Sequence, residues 1–131
     1  AKMVLGLDFY LSRIKDKRTR IVVVGNLVLA HGESAPSSRV KVLGAYERDE
    51  LPGIIEKNGI NMAFFPSVWP ETFSYVTQEL MMMDVPLTCY NIGAPRDRVM
   101  TYEKGAVIPN MTPMDTWQTM VRLAEGVGIE V

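Results

Sequence analysis

Met62-Ala63-Phe64-Phe65 is a short, wholly apolar run. Pro66-Ser67-Val68-Trp69-Pro70-Glu71-Thr72 breaks it, and Phe73, Val76, Leu80 and Met83 then recur at i, i+3, i+7 and i+10. An uninterrupted apolar run of this length reads as a strand covered on both faces, and the recurrence that follows is the seam of an amphipathic helix. Strand, proline-stiffened loop and helix in that order make one unit of a parallel sheet, because parallel strands need a crossover between them.

The alternation continues on both sides of this stretch. Toward the C-terminus, residues 85–90 read as a strand, 94–102 as a short helix and Ala106-Val107-Ile108 as a short strand. Thr112 then serves as N-cap, Pro113 as first helical residue and Asp115 as a first-turn acid, with Trp117, Met120, Val121 and Ala124 as the apolar stripe. Toward the N-terminus, 47–57 is a helix with Leu51, Ile54 and Ile55 on one face. Pro52 requires it to start near Asp49, and Asn58-Gly59 closes it with a left-handed signal. Residues 39–43 alternate like a strand ending at Gly44, 26–38 read as a loop, and 20–25 form a β-branched strand closed by a glycine. Leu7, Leu11 and Ile14, with Tyr10 beside them, mark a first helix whose wet face holds Arg13, Lys15, Asp16 and Lys17. The pattern predicts an α/β fold: a Rossmann-like, doubly wound, mostly parallel sheet with helices on both faces, in one domain over 1–131.

Composition limits what such a domain does. The 131 residues carry 14 Lys+Arg against 15 Asp+Glu, a net charge of −1, with 22% charged and 47% hydrophobic residues. With no basic run there is no electrostatic reason to expect nucleic acid or an anionic membrane surface as a partner. Apolar runs such as 21–24 are far too short to span a bilayer, and no signal peptide is legible, so a cytoplasmic location is expected. One cysteine, Cys89, excludes an internal disulfide, and no Cys/His cluster has metal-ligand spacing; no metal and no cofactor are expected. No Gly-x-Gly-x-x-Gly follows any strand, which argues against a dinucleotide-dependent oxidoreductase.

Ligands in such sheets bind outside the carboxyl ends of the strands. At the end of the 62–65 strand, Thr72 as N-cap would leave the amides of Phe73, Ser74 and Tyr75 as orphan donors at the positive end of a helix, a site for phosphate. Glu71 and Glu79 bracket that turn; eight helical residues apart, they lie about 80° apart around the axis. Ionised carboxylates only accept hydrogen bonds, so the pair suits hydroxyl-rich ligands such as ribose and sugars. The alternative is a Glu71 that merely favours the helix start and a Glu79 on a solvated face.

Pro66-Ser67-x-Trp69-Pro70-Glu71-Thr72-Phe73-Ser74-Tyr75 followed by Glu79 closely resembles a signature of retaining, family-4-like bacterial glycosyltransferases of the two-domain GT-B fold, in their C-terminal, donor-binding domain. Supporting matches are Val23-Val24-Gly25-Asn26, Gly44-Ala45-Tyr46, Asp84-Val85-Pro86, and Gly93-Ala94-Pro95-Arg96-Asp97-Arg98, where Asp97 replaces the family's glutamate. The resemblance implies that Glu71 contacts hydroxyls of the transferred sugar and Glu79 the ribose. It implies that the amides of Phe73, Ser74 and Tyr75 hold the distal phosphate and that Ala45 and Tyr46 lie at the nucleobase. Lys2 stands where the family has a diphosphate-neutralising lysine, with Met3 in place of the following glycine. No catalytic residue is assigned.

The implied function is transfer of a sugar from a nucleotide diphosphate to an acceptor glycan or lipid-linked sugar in bacterial surface polysaccharide synthesis. The implied chain is a piece of a larger enzyme, inactive without its acceptor domain. The family's first donor-domain strand, with its arginine, is expected before Lys2, and its absence predicts unpaired strands, a route to self-association. Membrane association is expected only through the rest of such an enzyme. A non-catalytic Rossmann-like interaction module remains the alternative.

Other residues read more plainly. Met81-Met82-Met83 is core filler at a helix end rather than a soft-metal surface, Cys89 is buried and inert, and His31 is a solvated loop residue. Arg96 and Arg98 either face water or assist a phosphate. Trp69 either lids its loop or stacks on a ligand.

Overall fold

The computed structural model describes residues 2–65 and 75–129. The chain divides into two compact units, Ala1–Ile60 and Asn61–Val131. Both are α/β, with parallel strands and helices around them, but the strands form two small sheets rather than the single sheet expected.

In the first unit α1 spans Lys2–Arg13, β1 Ile21–Val24, β2 Val40–Gly44 and α2 Leu51–Lys57, with a 3-10 turn over Arg48–Glu50. Leu7 and Leu11 are buried as their spacing predicts, but Ile14 is exposed. The helix ends before Ile14: Lys15 turns left-handed (φ 60°), and the Asp16 amide closes back on the Leu11 carbonyl at 3.0 Å. Pro52 falls in the first turn of α2, and Gly59 supplies the left-handed turn after it (φ 62°). Strands β1 and β2 pair in parallel from Ile21↔Val40 to Val24↔Gly44, with an irregularity between Val23 and Val24. Beyond it the Gly44 amide donates to the Gly25 carbonyl at 2.9 Å, both glycines at positive φ (81° and 131°), a closure that other residues resist. The wholly apolar run of β1 reads as a buried strand. It is half-buried along its length, since β2 lies along one edge and no described strand along the other.

In the second unit β3 spans Ala63–Phe65, α3 Tyr75–Met82, β4 Leu87–Tyr90, α4 Gly93–Met100, β5 Gly105–Ile108 and α5 Pro113–Val127. The strand order is β3-β4-β5, all parallel, with Leu87 paired to Ala63 on one side and Gly105 on the other. Central strand β4 is buried throughout. Around it pack Leu80, Val85, Val99, Ile108, Leu123 and Ala124, and Phe64 meets Tyr90 edge to face at 5.5 Å.

Helix α5 begins as its sequence dictates: the Thr112 hydroxyl accepts from the Asp115 amide at 3.1 Å, and Pro113 follows the cap. Its inward face differs from the expected stripe. Thr116, Thr119, Leu123 and Ala124 are buried, while Trp117, Met120 and Val121 are only half-buried. The helix is turned by about one residue because small threonines fit closely beneath it, and Thr116 keeps its hydroxyl bonded to the Thr112 carbonyl at 2.8 Å.

Candidate functional site

The carboxyl ends of β3, β4 and β5 are where a parallel sheet would take a ligand. Tyr75 is the first described residue of α3, and Glu79 follows one turn later, half-buried on the same helix. The two thus share helix α3, four residues apart. Glu71, Thr72, Phe73 and Ser74, with Trp69, lie outside the described residues. The expected cap and two of the three expected amides fall there.

Helix α4 starts two residues beyond the end of β4. Arg96, in its first turn, donates through Nε to Asn91 Oδ1 at 2.8 Å and pairs with Asp97 at 2.9 Å. Arg98 reaches from the same helix to Gln78 Oε1 at 3.2 Å, beside Glu79 in sequence. Arg98 therefore ties α4 to α3, a role that neither expected reading contained. Arg96 faces water but is held by Asn91. The tie was invisible in the sequence because it spans twenty residues and joins two helices of unassigned facing.

Below this rim the ionisable groups are quiet. Burial pushes the Cys89 thiol up to about 11, so it stays protonated and is a poor nucleophile. Burial also raises Tyr90, partly offset by its hydroxyl contact with Thr116 at 3.3 Å. Among the described residues no group of three or more His, Cys, Asp or Glu side chains is placed to hold a metal ion. No described helix is long and apolar enough to cross a membrane.

The remaining expected residues are in the first unit. Ala45 and Tyr46 directly follow β2, at its carboxyl end; Ala45 is exposed and Tyr46 half-buried. Lys2 is exposed in the first turn of α1. A cation there opposes the helix dipole, so an anion at that end would be welcome to both.

The first unit also holds a polar knot that local periodicity does not reveal. The Asp8 carboxylate accepts from the Ser37 amide at 2.8 Å and the Ser37 hydroxyl at 2.6 Å, and pairs with Arg39 at 3.2 Å. Arg39 also donates to Ser12 Oγ at 3.1 Å and to the Asp16 carbonyl. Both partners are about nine-tenths buried, with side chains 11% and 9% exposed for Arg39 and Asp8. Burial alone would raise the Asp8 carboxyl; the Ser37 and Arg39 hydrogen bonds outweigh it and hold Asp8 below the ordinary carboxylate value. The only hint lay in an acid at position 8 next to the apolar stripe. The knot fixes the end of the 26–38 loop to α1 just before β2.

No protein-family model matches the chain, and no curated protein matches it at a significant level.

Proposed function

We propose that the chain is a nucleotide-diphosphate-sugar binding domain of a glycosyltransferase, built like the C-terminal, doubly wound half of a GT-B enzyme. The observation that carries the reading is the sequence of residues 66–75 with Glu79, which in the chain follows strand β3 and leads into the helix that holds Glu79. Parallel β3-β4-β5 pairing with intervening helices suits it, since sheets of this kind take ligands beyond the carboxyl ends of their strands. Chemistry in such a site stabilises the departing diphosphate with helix amides and cationic side chains. Glu71 would hold the sugar, Glu79 the ribose, the amides of Phe73, Ser74 and Tyr75 with Lys2 the diphosphate, and Ala45 and Tyr46 the base. The acceptor, a glycan or lipid-linked sugar of a bacterial surface polysaccharide, would be held by a further domain. Self-association through the free edges of β1 and β3 belongs to the same proposal.

Titration calorimetry with UDP-, GDP- and dTDP-glucose, and with the corresponding nucleoside diphosphates, tests it. One nucleotide series is expected to bind. Glu79→Ala should weaken the diphosphate and the sugar nucleotide alike, because both carry the ribose. Glu71→Ala should weaken only the sugar nucleotide. If none of the six ligands binds, the donor site is refuted. A module used purely for protein association predicts that neither substitution matters.

A further inference from the structure

Strand β5 is paired with β4 on one side only, and no described strand lies along its other edge. Beside that edge is a groove of about 410 Å³, walled on the far side by Thr119, Arg122, Leu123 and Gly126 of α5. Three consecutive β5 residues, Gly105, Ala106 and Val107, line it. Successive strand side chains point to opposite faces, so a cavity touching all three lies against the strand's edge, not under one face. The Leu87 amide donates to the Lys104 carbonyl at 2.9 Å. Ladder alternation then turns the Gly105 carbonyl and both polar groups of Val107 outward, into the groove.

Three further features mark the groove as built for an occupant. The Thr119 hydroxyl is buried without a hydrogen-bond partner, in a side chain 5% exposed. Arg122 makes no hydrogen bond or ion pair with any described residue; Glu103 also lines the groove, with Lys104, itself paired with Asp84, acting on it electrostatically. Gly126 sits inside α5 at ordinary helical φ with nothing within 4 Å of a side chain placed there. Glycine inside a helix costs about 1 kcal/mol against alanine, and neither backbone nor packing requires it here. What it does is leave the groove open.

We infer that the free edge of β5 and the α5 wall beside it form a docking site for an extended acidic peptide, which adds as a strand outside β5 and sets a carboxylate on Arg122. Main-chain pairing to Val107 and Gly105 gives the register, the small side chains of β5 admit a second backbone, and the exposed Arg122 guanidinium selects the charge. A four-residue strand offers about 13 Å of edge, enough for a short segment. The site is separate from the carboxyl rim of the sheet, since the groove lies toward the start of β5 and the end of α5. It does not depend on the proposed sugar-nucleotide chemistry.

NMR of the full chain, titrated to millimolar Thr-Val-Thr-Val-Thr-Glu with a free C-terminus, tests this; the control peptide is N-methylated at every residue after the first and cannot pair through either edge. The expected result is at least tenfold slower exchange of the Val107 amide with the first peptide and none with the second. Arg122→Gln should weaken binding at least fivefold, and Gly126→Leu should abolish it with the circular dichroism spectrum unchanged. An unchanged Val107 amide at the highest peptide concentration overturns the inference, as does equal binding by Arg122→Gln. If Val107 is instead protected as the chain's own concentration rises, with a dimer in sedimentation, the occupant is a second copy and the peptide assignment falls.

Discussion

Replacing Asp8 by asparagine keeps the shape of the polar knot and removes its charge. The partner left behind, Arg39, has a side chain only 11% exposed, so its guanidinium loses its paired carboxylate without gaining much water and keeps the weaker electrostatic influence of Asp16. Removing one member of a buried pair destabilises by about 3–5 kcal/mol, against about 0–1 for an exposed pair. Arg39 retains neutral acceptors in Ser12 Oγ and the carbonyls of Asp8 and Asp16, which lowers the expectation to about 2–3 kcal/mol. The pH dependence has a definite sign. The folded Asp8 carboxyl lies below its unfolded value of about 3.9, so its stabilisation is full above that pH and disappears as pH falls through the folded value. The gap between wild type and Asp8→Asn should therefore be constant from pH 7 to about 5 and close below about 4. Both tryptophans, Trp69 and Trp117, fall after residue 60, so fluorescence does not report on this unit. Amide exchange of Val22 and Val23 in β1 does. A change under about 0.5 kcal/mol at pH 7, or a gap of the same size at pH 2.5, would refute an energetic role for the pair.

Three other substitutions or probes check the second unit. Gly105→Ala places a methyl 2.6 Å from the Val99 carbonyl and 2.8 Å from a Val99 methyl, so α4 must shift; a loss of about 1–3 kcal/mol in urea denaturation is expected, and a neutral result would mean that α4 is less closely seated on β5. Thr112→Ala removes the cap on the Asp115 amide and should lower stability by about 1 kcal/mol, while Thr112→Asp should largely restore it. Cys89, 1% exposed and with its thiol raised to about 11, should react with a disulfide reagent at pH 8 only through opening of the unit; immediate stoichiometric labelling of the native chain contradicts its place in β4.

Much of the fold was readable because its signals are local. The alternation of strand and helix, the Thr112-Pro113 start of α5, the Pro52 constraint on α2 and the end of α2 at Asn58-Gly59 each depend on a few adjacent residues. What the sequence concealed depends on which elements become neighbours. The Ile-Val-Val-Val run of β1 is more apolar than the Leu-Thr-Cys-Tyr of β4, yet β4 has a strand on both sides and is buried, while β1 has one described neighbour and is half-buried. Hydrophobicity records the potential for burial, and pairing decides how much of it is used. The Glu71, Phe73 and Ser74 part of the expected site falls outside the described residues, so its support remains the sequence itself, with Tyr75 and Glu79 placed as a helix after β3 requires.

The threonines show the same limit and then exceed it. Threonine counts as polar in a hydrophobic pattern, yet Thr77, Thr88, Thr116 and Thr119 are all at most 5% exposed, and the inward face of α5 lies about one residue from its apolar stripe. A buried hydroxyl is tolerable when it is bonded, because the hydrogen bond replaces the water it has lost. Thr88 donates to the Ala63 carbonyl at 3.3 Å, Thr116 to the Thr112 carbonyl, and Thr77 has its own interaction. Only Thr119 of the four has none, and it is the one that borders the groove beside β5. Valine would match its shape without the polar penalty, so Thr119→Val should stabilise the isolated chain by about 1 kcal/mol or leave it unchanged. A clear loss of stability would show that the hydroxyl already has a partner inside the fold, and would remove one of the three marks that single out the groove.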